Sequence, residues 1–120
     1  MEKSTLVLGA SVNTARYSNK AIFKLRERKI ETFAIGVEKG HVLDVVIETE
    51  KVEYENLHTI TLYLNPVRQK EYYNYILKVK PIRVIFNPGT ENTELMNLLK
   101  ENAIEVEAAC TLVLLSVDQY

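Results

Sequence analysis

Apolar and polar residues follow one another along the chain in blocks whose spacing predicts strands and helices in turn. Residues 5–8 form an unbroken apolar run, which is typical of a strand buried on both faces. After a short loop, Ala21, Ile22 and Leu25 recur at helical spacing, and Ser18 is placed to cap the N-terminus of that helix. The chain therefore opens with a buried strand, a small loop and an amphipathic helix.

The remainder of the chain repeats this order. Further strands are predicted at residues 31–35, 58–64 and 82–86, with short ones around 45–47 and 104–106. One helix is predicted to start at Asn65 and Pro66 and another at Asn92 or Thr93, because Asn caps helices and Pro fits the first helical position. Residues 112–115 read as an apolar tail.

Alternating strands and helices predict a Rossmann-like, doubly wound α/β fold, with a mainly parallel sheet of about five strands and helices on both faces. The length of 120 residues fits one domain covering residues 1–120. Ligands of such sheets bind beyond the carboxyl ends of the strands, where the strand order reverses. We therefore expect four strand ends to meet at one edge, at residues 9–11, 36–40, 63–66 and 87–90.

The loop after the first strand predicts a phosphate site. Gly9 would let the backbone approach a ligand, and the free N–H groups of the following helix would face it. A plain strand-to-helix turn is the alternative. The loop lacks the G-x-G-x-x-G pattern, because Ser11 and Thr14 stand at the second and third glycine positions, which counts against NAD or FAD. Arg16 is either a phosphate ligand or an ordinary surface charge.

Taken in order, these stretches resemble the coenzyme A-binding domain family, which includes small stand-alone bacterial and archaeal proteins and the N-terminal domain of the succinyl-CoA synthetase α subunit. The resemblance rests on Thr5-Leu6-Val7-Leu8-Gly9-Ala10-Ser11-x-Asn13, Arg16-Tyr17-Ser18, Phe33-Ala34-Ile35-Gly36, Leu62-Tyr63-Leu64-Asn65-Pro66, Phe86-Asn87-Pro88-Gly89-Thr90-Glu91-Asn92 and Ala109-Cys110-Thr111-Leu112. The chain departs from the family in its first loop, which lacks a common proline. Lys29 and Ala103 also stand where the family often has glycine.

The resemblance implies that the ligand is coenzyme A or an acyl-CoA, and that all four strand ends contact it. The implied contacts are Gly9, Ala10, Ser11, Arg16 and Ser18 for the pyrophosphate, Gly36 and Lys39 for the phosphorylated ribose, Tyr63, Leu64, Asn65 and Pro66 for the adenine, and Asn87, Pro88 and Gly89 for the pantetheine. Without the resemblance, residues 65–66 are fully explained as a helix start, and residues 87–89 read equally well as a turn. Glu38 could instead be the ribose-binding acid of an NAD site.

Composition and net charge limit the classes of partner and of chemical site that we expect for this chain. The net charge of −1 gives no general attraction to nucleic acid or to anionic membranes, and no apolar stretch is long enough to span a bilayer. The single cysteine, Cys110, cannot form an internal disulfide, which fits a reducing cytoplasm, and we expect it to be a buried structural residue. His41 and Asp44 alone make a poor metal site, so no metal is expected. No catalytic constellation is visible.

The first hypothesis is therefore a non-catalytic module that binds coenzyme A or acyl-CoA. An NAD(P)-dependent oxidoreductase is the enzymatic alternative, although it would need a different glycine pattern. A scaffold or regulatory protein that has lost its ligand is the third. A homodimer or another protein partner stays open, with an exposed apolar patch around Tyr72, Tyr73, Leu115 and Tyr120 as the candidate surface.

Overall fold

A computed structural model describes residues 2–120 and shows one sheet of seven strands with helices on both faces. The strands are β1 Thr5–Ala10, β2 Thr32–Gly36, β3 Gly40–Val42, β4 Val45–Glu48, β5 Thr59–Leu62, β6 Arg83–Phe86 and β7 Glu105–Ala108. The helices are α1 Tyr17–Glu27, α2 Pro66–Gln69, α3 Tyr73–Val79, α4 Thr93–Glu101 and α5 Thr111–Ser116, with a 3₁₀ turn over Lys70–Tyr72 between α2 and α3.

The strand order is β3-β4-β2-β1-β5-β6-β7, and every neighbouring pair is parallel except β3 with β4. From β1 the chain first builds outward through β2 and β4, and then returns to the other side of β1 to place β5, β6 and β7. The strand order therefore reverses between β1 and β5. In doubly wound sheets this reversal opens a crevice at the carboxyl ends of the two strands.

The expected class of fold is confirmed, but the sheet has seven strands and not about five. Residues 45–47 and 104–106 do lie in or beside short strands, β4 and β7. The strand absent from the sequence prediction is β3, a three-residue edge strand that turns back against β4 through Val42 and Val45. Three residues are too few to display a period, so only pairing with β4 defines this strand.

Side chains that alternate along the strands fill two core layers. Leu6 and Phe86 point to the layer beneath α3 and α4, whereas Val7 points to the layer beneath α1 and α5. Residues 112–115, predicted as a tail, belong to α5, because their apolar side chains pack toward α1. Leu115 is fully buried in this second layer, so it cannot contribute to the exposed apolar patch predicted around it.

The helix starts were predicted with mixed success. Asn65 and Asn92 are N-caps as expected, since their Oδ1 atoms accept hydrogen bonds from the backbone N–H of Arg68 at 2.9 Å and of Leu95 at 3.1 Å. Ser18 is not a cap. It lies buried inside the first turn of α1, and Arg16 occupies the N-cap position without a capping side chain. The N–H groups at this end of α1 are therefore not satisfied by a side-chain cap.

Candidate functional site

A cavity of about 660 Å³ opens at the carboxyl edge of the sheet, over the reversal between β1 and β5. All four predicted strand ends contribute to it. The lining consists of residues 9–13, 16–18, 35–38, 63–65 and 88–90, together with Arg68 and Tyr72. The topology therefore brings together, in one cavity, loops that are more than 70 positions apart in the chain.

Hydrogen bonds inside the β1–α1 loop hold its shape. Ser11 Oγ accepts a hydrogen bond from the backbone N–H of Asn13 at 3.0 Å, and Asn13 Oδ1 accepts one from the N–H of Ala15 at 2.9 Å. From the buried side, Asn19 Nδ2 donates to the carbonyl of Ser11 at 2.9 Å. These side chains therefore support the loop through hydrogen bonds within the protein.

The first turn of α1 brings free backbone N–H groups to the cavity. Within residues 2–120, the backbone N–H groups of Tyr17 and Ser18 donate no hydrogen bond, as expected for the start of a helix. Both residues line the cavity. Free N–H groups and the positive end of the helix dipole favour a phosphate at this position.

The glycines of the edge serve packing between strands. Gly9 has φ +100°, and a Cβ on it would lie 2.9 Å from the carbonyl carbon of Tyr63. A Cβ on Gly36 would lie 2.3 Å from the carbonyl oxygen of Ala10. The sequence suggested that Gly9 gives a ligand access to the backbone. The structure shows that Gly9 also lets β5 lie close to β1, at a bulge between Leu8 and Ala10, and its contact with a ligand stays a prediction.

Two arginines line the cavity from its two sides. Arg16 precedes α1, and Arg68 lies in α2 after β5. Both side chains are exposed, and no ion pair within residues 2–120 involves either of them. Arg68 was missed from the sequence. Arg68 could have been found from its position three residues after the helix cap Asn65. The first turn of a helix that follows a strand lies at the carboxyl edge of the sheet, next to the end of that strand.

The loop after β2 differs from the prediction. Glu38 lines the cavity, whereas the neighbouring Lys39 does not. Val37, beside them, is 70% exposed and also lines the cavity. Of the two charged residues in this loop, Glu38 therefore lies in the lining, and contact of Lys39 with a ligand stays a prediction.

Asn87 was predicted to line the pantetheine side, but it lies buried beneath the cavity. Its Nδ2 donates to Thr61 Oγ1 at 2.6 Å and to the carbonyl of Leu62 at 2.8 Å, while its Oδ1 accepts from the N–H of Thr111 at 2.9 Å. The side chain thus connects β5, β6 and the start of α5. Its amide is occupied by protein groups, so Asn87 positions the strand ends.

Gln69 performs a similar task on the other layer and was not identified from the sequence. Its Nε2 donates to the carbonyls of Leu64 at 2.7 Å and Thr90 at 2.8 Å, and its Oε1 accepts from Asn92 Nδ2 at 2.9 Å. The fully buried amide therefore ties the loop after β5 to the loop after β6. A buried polar residue with all its groups paired is a rigid spacer.

All but three of the predicted binding residues line the cavity, and the exceptions are Lys39, Pro66 and Asn87. Pro66 opens α2 as its first residue. Tyr63 lines the cavity and also packs against the core layer of α1 and α5, where burial raises the pKa of its hydroxyl to about 12. Contact with a ligand stays a prediction for every residue of the set.

The residues considered for other chemistry lie elsewhere. Cys110 is half-buried just before α5 and does not line the cavity. Asp44 accepts hydrogen bonds from Arg26 Nε at 2.9 Å and Nη2 at 2.8 Å, and this pairing holds the pKa of Asp44 below its usual value. In the described part of the chain, no three His, Cys, Asp or Glu side chains gather in a way that could hold a metal ion.

A second hollow of about 640 Å³ lies between α1 and α5. Its polar side chains bond within the protein: Asn19 to the carbonyl of Ser11, and Lys24 to Glu27 at 3.6 Å. It is lined by apolar groups such as Phe23 and Val113, and it lies beside the helices rather than at the strand ends. The carboxyl-edge cavity is the better candidate, because it combines free N–H groups with unpaired cations.

A mainly parallel sheet with this cavity at its reversal defines the Rossmann-like class of α/β fold, in which ligands bind at the reversal. A family model described as "CoA binding domain" matches residues 3–116, and the chain belongs to that family. The resemblance noted in the sequence is thereby confirmed. No curated protein matches the chain in sequence. None of the helices in residues 2–120 combines the length and the apolar character required to cross a membrane.

Solved structures agree with the fold. The chain is 48% identical to a protein described as uncharacterized, with a TM-score of 0.97 over 100% of this chain and 99% of the other. A Thermus thermophilus protein described as cell-free ID.343 is 18% identical, with a TM-score of 0.87 over 99% and 91% of the two chains. A hypothetical protein from Pyrococcus horikoshii OT3 is 20% identical, with a TM-score of 0.84 over 93% and 80%. The last two show the fold alone.

Proposed function

We propose that this protein binds coenzyme A or an acyl-CoA in the carboxyl-edge cavity and acts as a binding module without a reaction of its own. One observation carries the proposal. In a chain that belongs to the CoA binding domain family, the free N–H groups of Tyr17 and Ser18 line the same cavity as Arg16 and Arg68. This combination suits a pyrophosphate, because backbone N–H groups and guanidinium groups are both strong phosphate donors.

The size and direction of the cavity support the same ligand. A volume of about 660 Å³ falls within the range of small-molecule sites. With the pyrophosphate at α1, the cavity continues past β5 to Pro88 and Gly89 at the end of β6. Gly89 has no atom within 4 Å of the position that a Cβ would take, so this end is open to a flexible chain such as pantetheine.

The absence of a reaction is part of the proposal. The residues that line the cavity include neither cysteine nor histidine, and Cys110, His41 and His58 all lie outside it. Nucleophilic catalysis requires a nucleophile and a base within hydrogen-bond distance of each other. The cavity offers hydroxyl groups at Ser11 and Ser18, but no adjacent histidine or lysine to activate them.

Calorimetric titration of ligand-stripped protein with coenzyme A tests the proposal. Arg16→Ala and Arg68→Ala should each weaken binding about tenfold or more, since each removes a charged hydrogen bond worth about 1.5–3 kcal/mol. Lys100→Ala is the matched control, because it removes one exposed positive charge from α4, away from the cavity. Wild-type protein that binds no coenzyme A, or arginine variants that behave like the control, would contradict the proposal.

Glu38 supports a second candidate, an NAD-type dinucleotide. NAD sites of this fold place a carboxylate after the second strand to accept the ribose hydroxyls, and Glu38 lines the cavity at that point. Ser11 and Thr14 in place of two glycines disfavour NAD. The same titration with NAD discriminates between the two, since an oxidoreductase would bind NAD more tightly than coenzyme A.

A further inference from the structure

The loop between β2 and β3 carries the only acidic group among the residues that line the cavity. Glu38 is exposed, and within residues 2–120 it takes part in no ion pair. Lys39 follows it and does not line the cavity. A ligand that reaches the end of β2 therefore meets the carboxylate of Glu38 in the lining of the cavity.

The position of this charge relative to the phosphate-binding groups follows from the sheet. Gly36, at the end of β2, pairs with Ala10 at the end of β1. Neighbouring strands are about 4.8 Å apart, so the loop after β2 begins one strand spacing from the loop that leads into α1. In an adenosine diphosphate group, the ribose ring directly follows the pyrophosphate. A ribose next to a pyrophosphate at α1 can thus lie at the end of β2.

Positive and negative side chains lie at different strand ends along the carboxyl edge of the sheet. Arg16 and Arg68 lie at the ends of β1 and β5, whereas Glu38 lies at the end of β2. A carboxylate accepts hydrogen bonds from hydroxyl groups, so it suits the free hydroxyls of a ribose. A phosphate on the same ribose would place like charges side by side, which is unfavourable.

We infer that the cavity selects a nucleotide whose adenosine ribose carries a free 3′-hydroxyl, so that the form of coenzyme A that it prefers is dephospho-coenzyme A. The inference rests on the proposed function and refines it. It also replaces the prediction that Lys39 contacts a 3′-phosphate. Glu38 accepts hydrogen bonds from the ribose hydroxyls, while Arg16 and the α1 N-terminus hold the pyrophosphate.

The test is a pair of calorimetric titrations, with coenzyme A and with dephospho-coenzyme A, in the same buffer. Wild-type protein should bind the dephospho form about tenfold more tightly. Glu38→Gln keeps the size of the side chain and one acceptor oxygen but removes the charge, so the ratio of the two affinities should fall toward one. Lys39→Ala is the matched control next to it and should leave the wild-type ratio unchanged.

The outcomes separate the inference from the proposed function. Wild-type protein that binds coenzyme A as tightly as the dephospho form, or more tightly, overturns the inference and leaves the proposed function in place. A selective loss of coenzyme A affinity in Lys39→Ala overturns it as well, because it would place the lysine beside the 3′-phosphate. If neither ligand binds, the proposed function itself fails.

Discussion

Substitution of two glycines by alanine separates the demands of strand packing from those of backbone conformation. Gly9 and Gly89 both have positive φ, +100° and +91°, and both line the cavity. A Cβ on Gly9 would lie 2.9 Å from the carbonyl carbon of Tyr63 and 3.1 Å from Leu64 Cδ2, whereas a Cβ on Gly89 would have no neighbour within 4 Å. The two positions therefore differ chiefly in contact.

The expected losses follow from this difference. A positive φ costs an alanine about 1–2 kcal/mol at either position. Gly9→Ala must also displace backbone of β5, and overpacking of this kind costs a further ~1–3 kcal/mol. Glycine and alanine differ in the entropy of the unfolded chain by the same amount at both sites, so that effect cancels in the comparison. We expect Gly9→Ala to lose about 2–5 kcal/mol and Gly89→Ala about 1–2 kcal/mol.

Equilibrium urea denaturation followed by circular dichroism measures both variants against the wild type. With m values of about 1–3 kcal/mol/M, the midpoint of Gly9→Ala should lie at clearly lower urea than that of Gly89→Ala, and the slopes should be unchanged. Equal midpoints would refute the reasoning, because they would mean that β5 moves away from the added methyl group without cost. Equal midpoints are what we would expect if Gly9 served only to let a ligand approach the backbone.

Three further changes test other parts of the structure by the same measurement. Lys29 and Ala103, just beyond the ends of α1 and α4, have φ of 58° and 59°, a conformation that glycine adopts without strain. Glycine at either position should therefore raise the free energy of unfolding by about 1 kcal/mol, and an unchanged free energy of unfolding would contradict this expectation. Gln69→Leu should lower it by about 2–4 kcal/mol, since two carbonyls and the Asn92 amide lose their partner, and a smaller loss would show that water replaces them. Burial raises the pKa of Tyr63 from 10.0 to about 12, so the folded state favours the protonated hydroxyl. This preference contributes fully to the free energy of unfolding below pH 10, and the contribution is lost as the pH rises toward 12. Tyr63→Phe should therefore lose less stability than the wild type between pH 9 and pH 12, and an identical pH dependence would refute the assignment.

The sequence was most informative where local chemistry and burial agree. Residues 5–8 are buried throughout, and they form most of β1 as the apolar run predicted. Asn65 and Asn92 cap their helices because an Asn before a helix satisfies a backbone N–H within the same short segment. Such features depend on a few consecutive residues, so a single sequence contains all the information that they require.

Two features differ from what the sequence suggested, and both lie in or beside loops at the carboxyl edge. Ser18 has the chemistry of a cap, but α1 begins at Tyr17 with Arg16 as its N-cap, two residues earlier than a cap at Ser18 would place it. Lys39 has the charge expected for a phosphate contact, but Glu38 and not Lys39 lines the cavity, so contact of Lys39 with a ligand stays a prediction. Both outcomes are set by how a loop is folded, and residue types alone do not determine that.

The two halves of the cavity are therefore held by different means. At the ends of β5 and β6, the buried amides of Asn87 and Gln69 join the strand ends, so a change there disturbs the fold as well as the cavity. At the end of β2, Val37, Glu38 and Lys39 are exposed. Substitutions at these exposed positions cost little stability. We expect ligand selectivity to be adjustable at the end of β2, while the phosphate-binding geometry stays fixed by the fold.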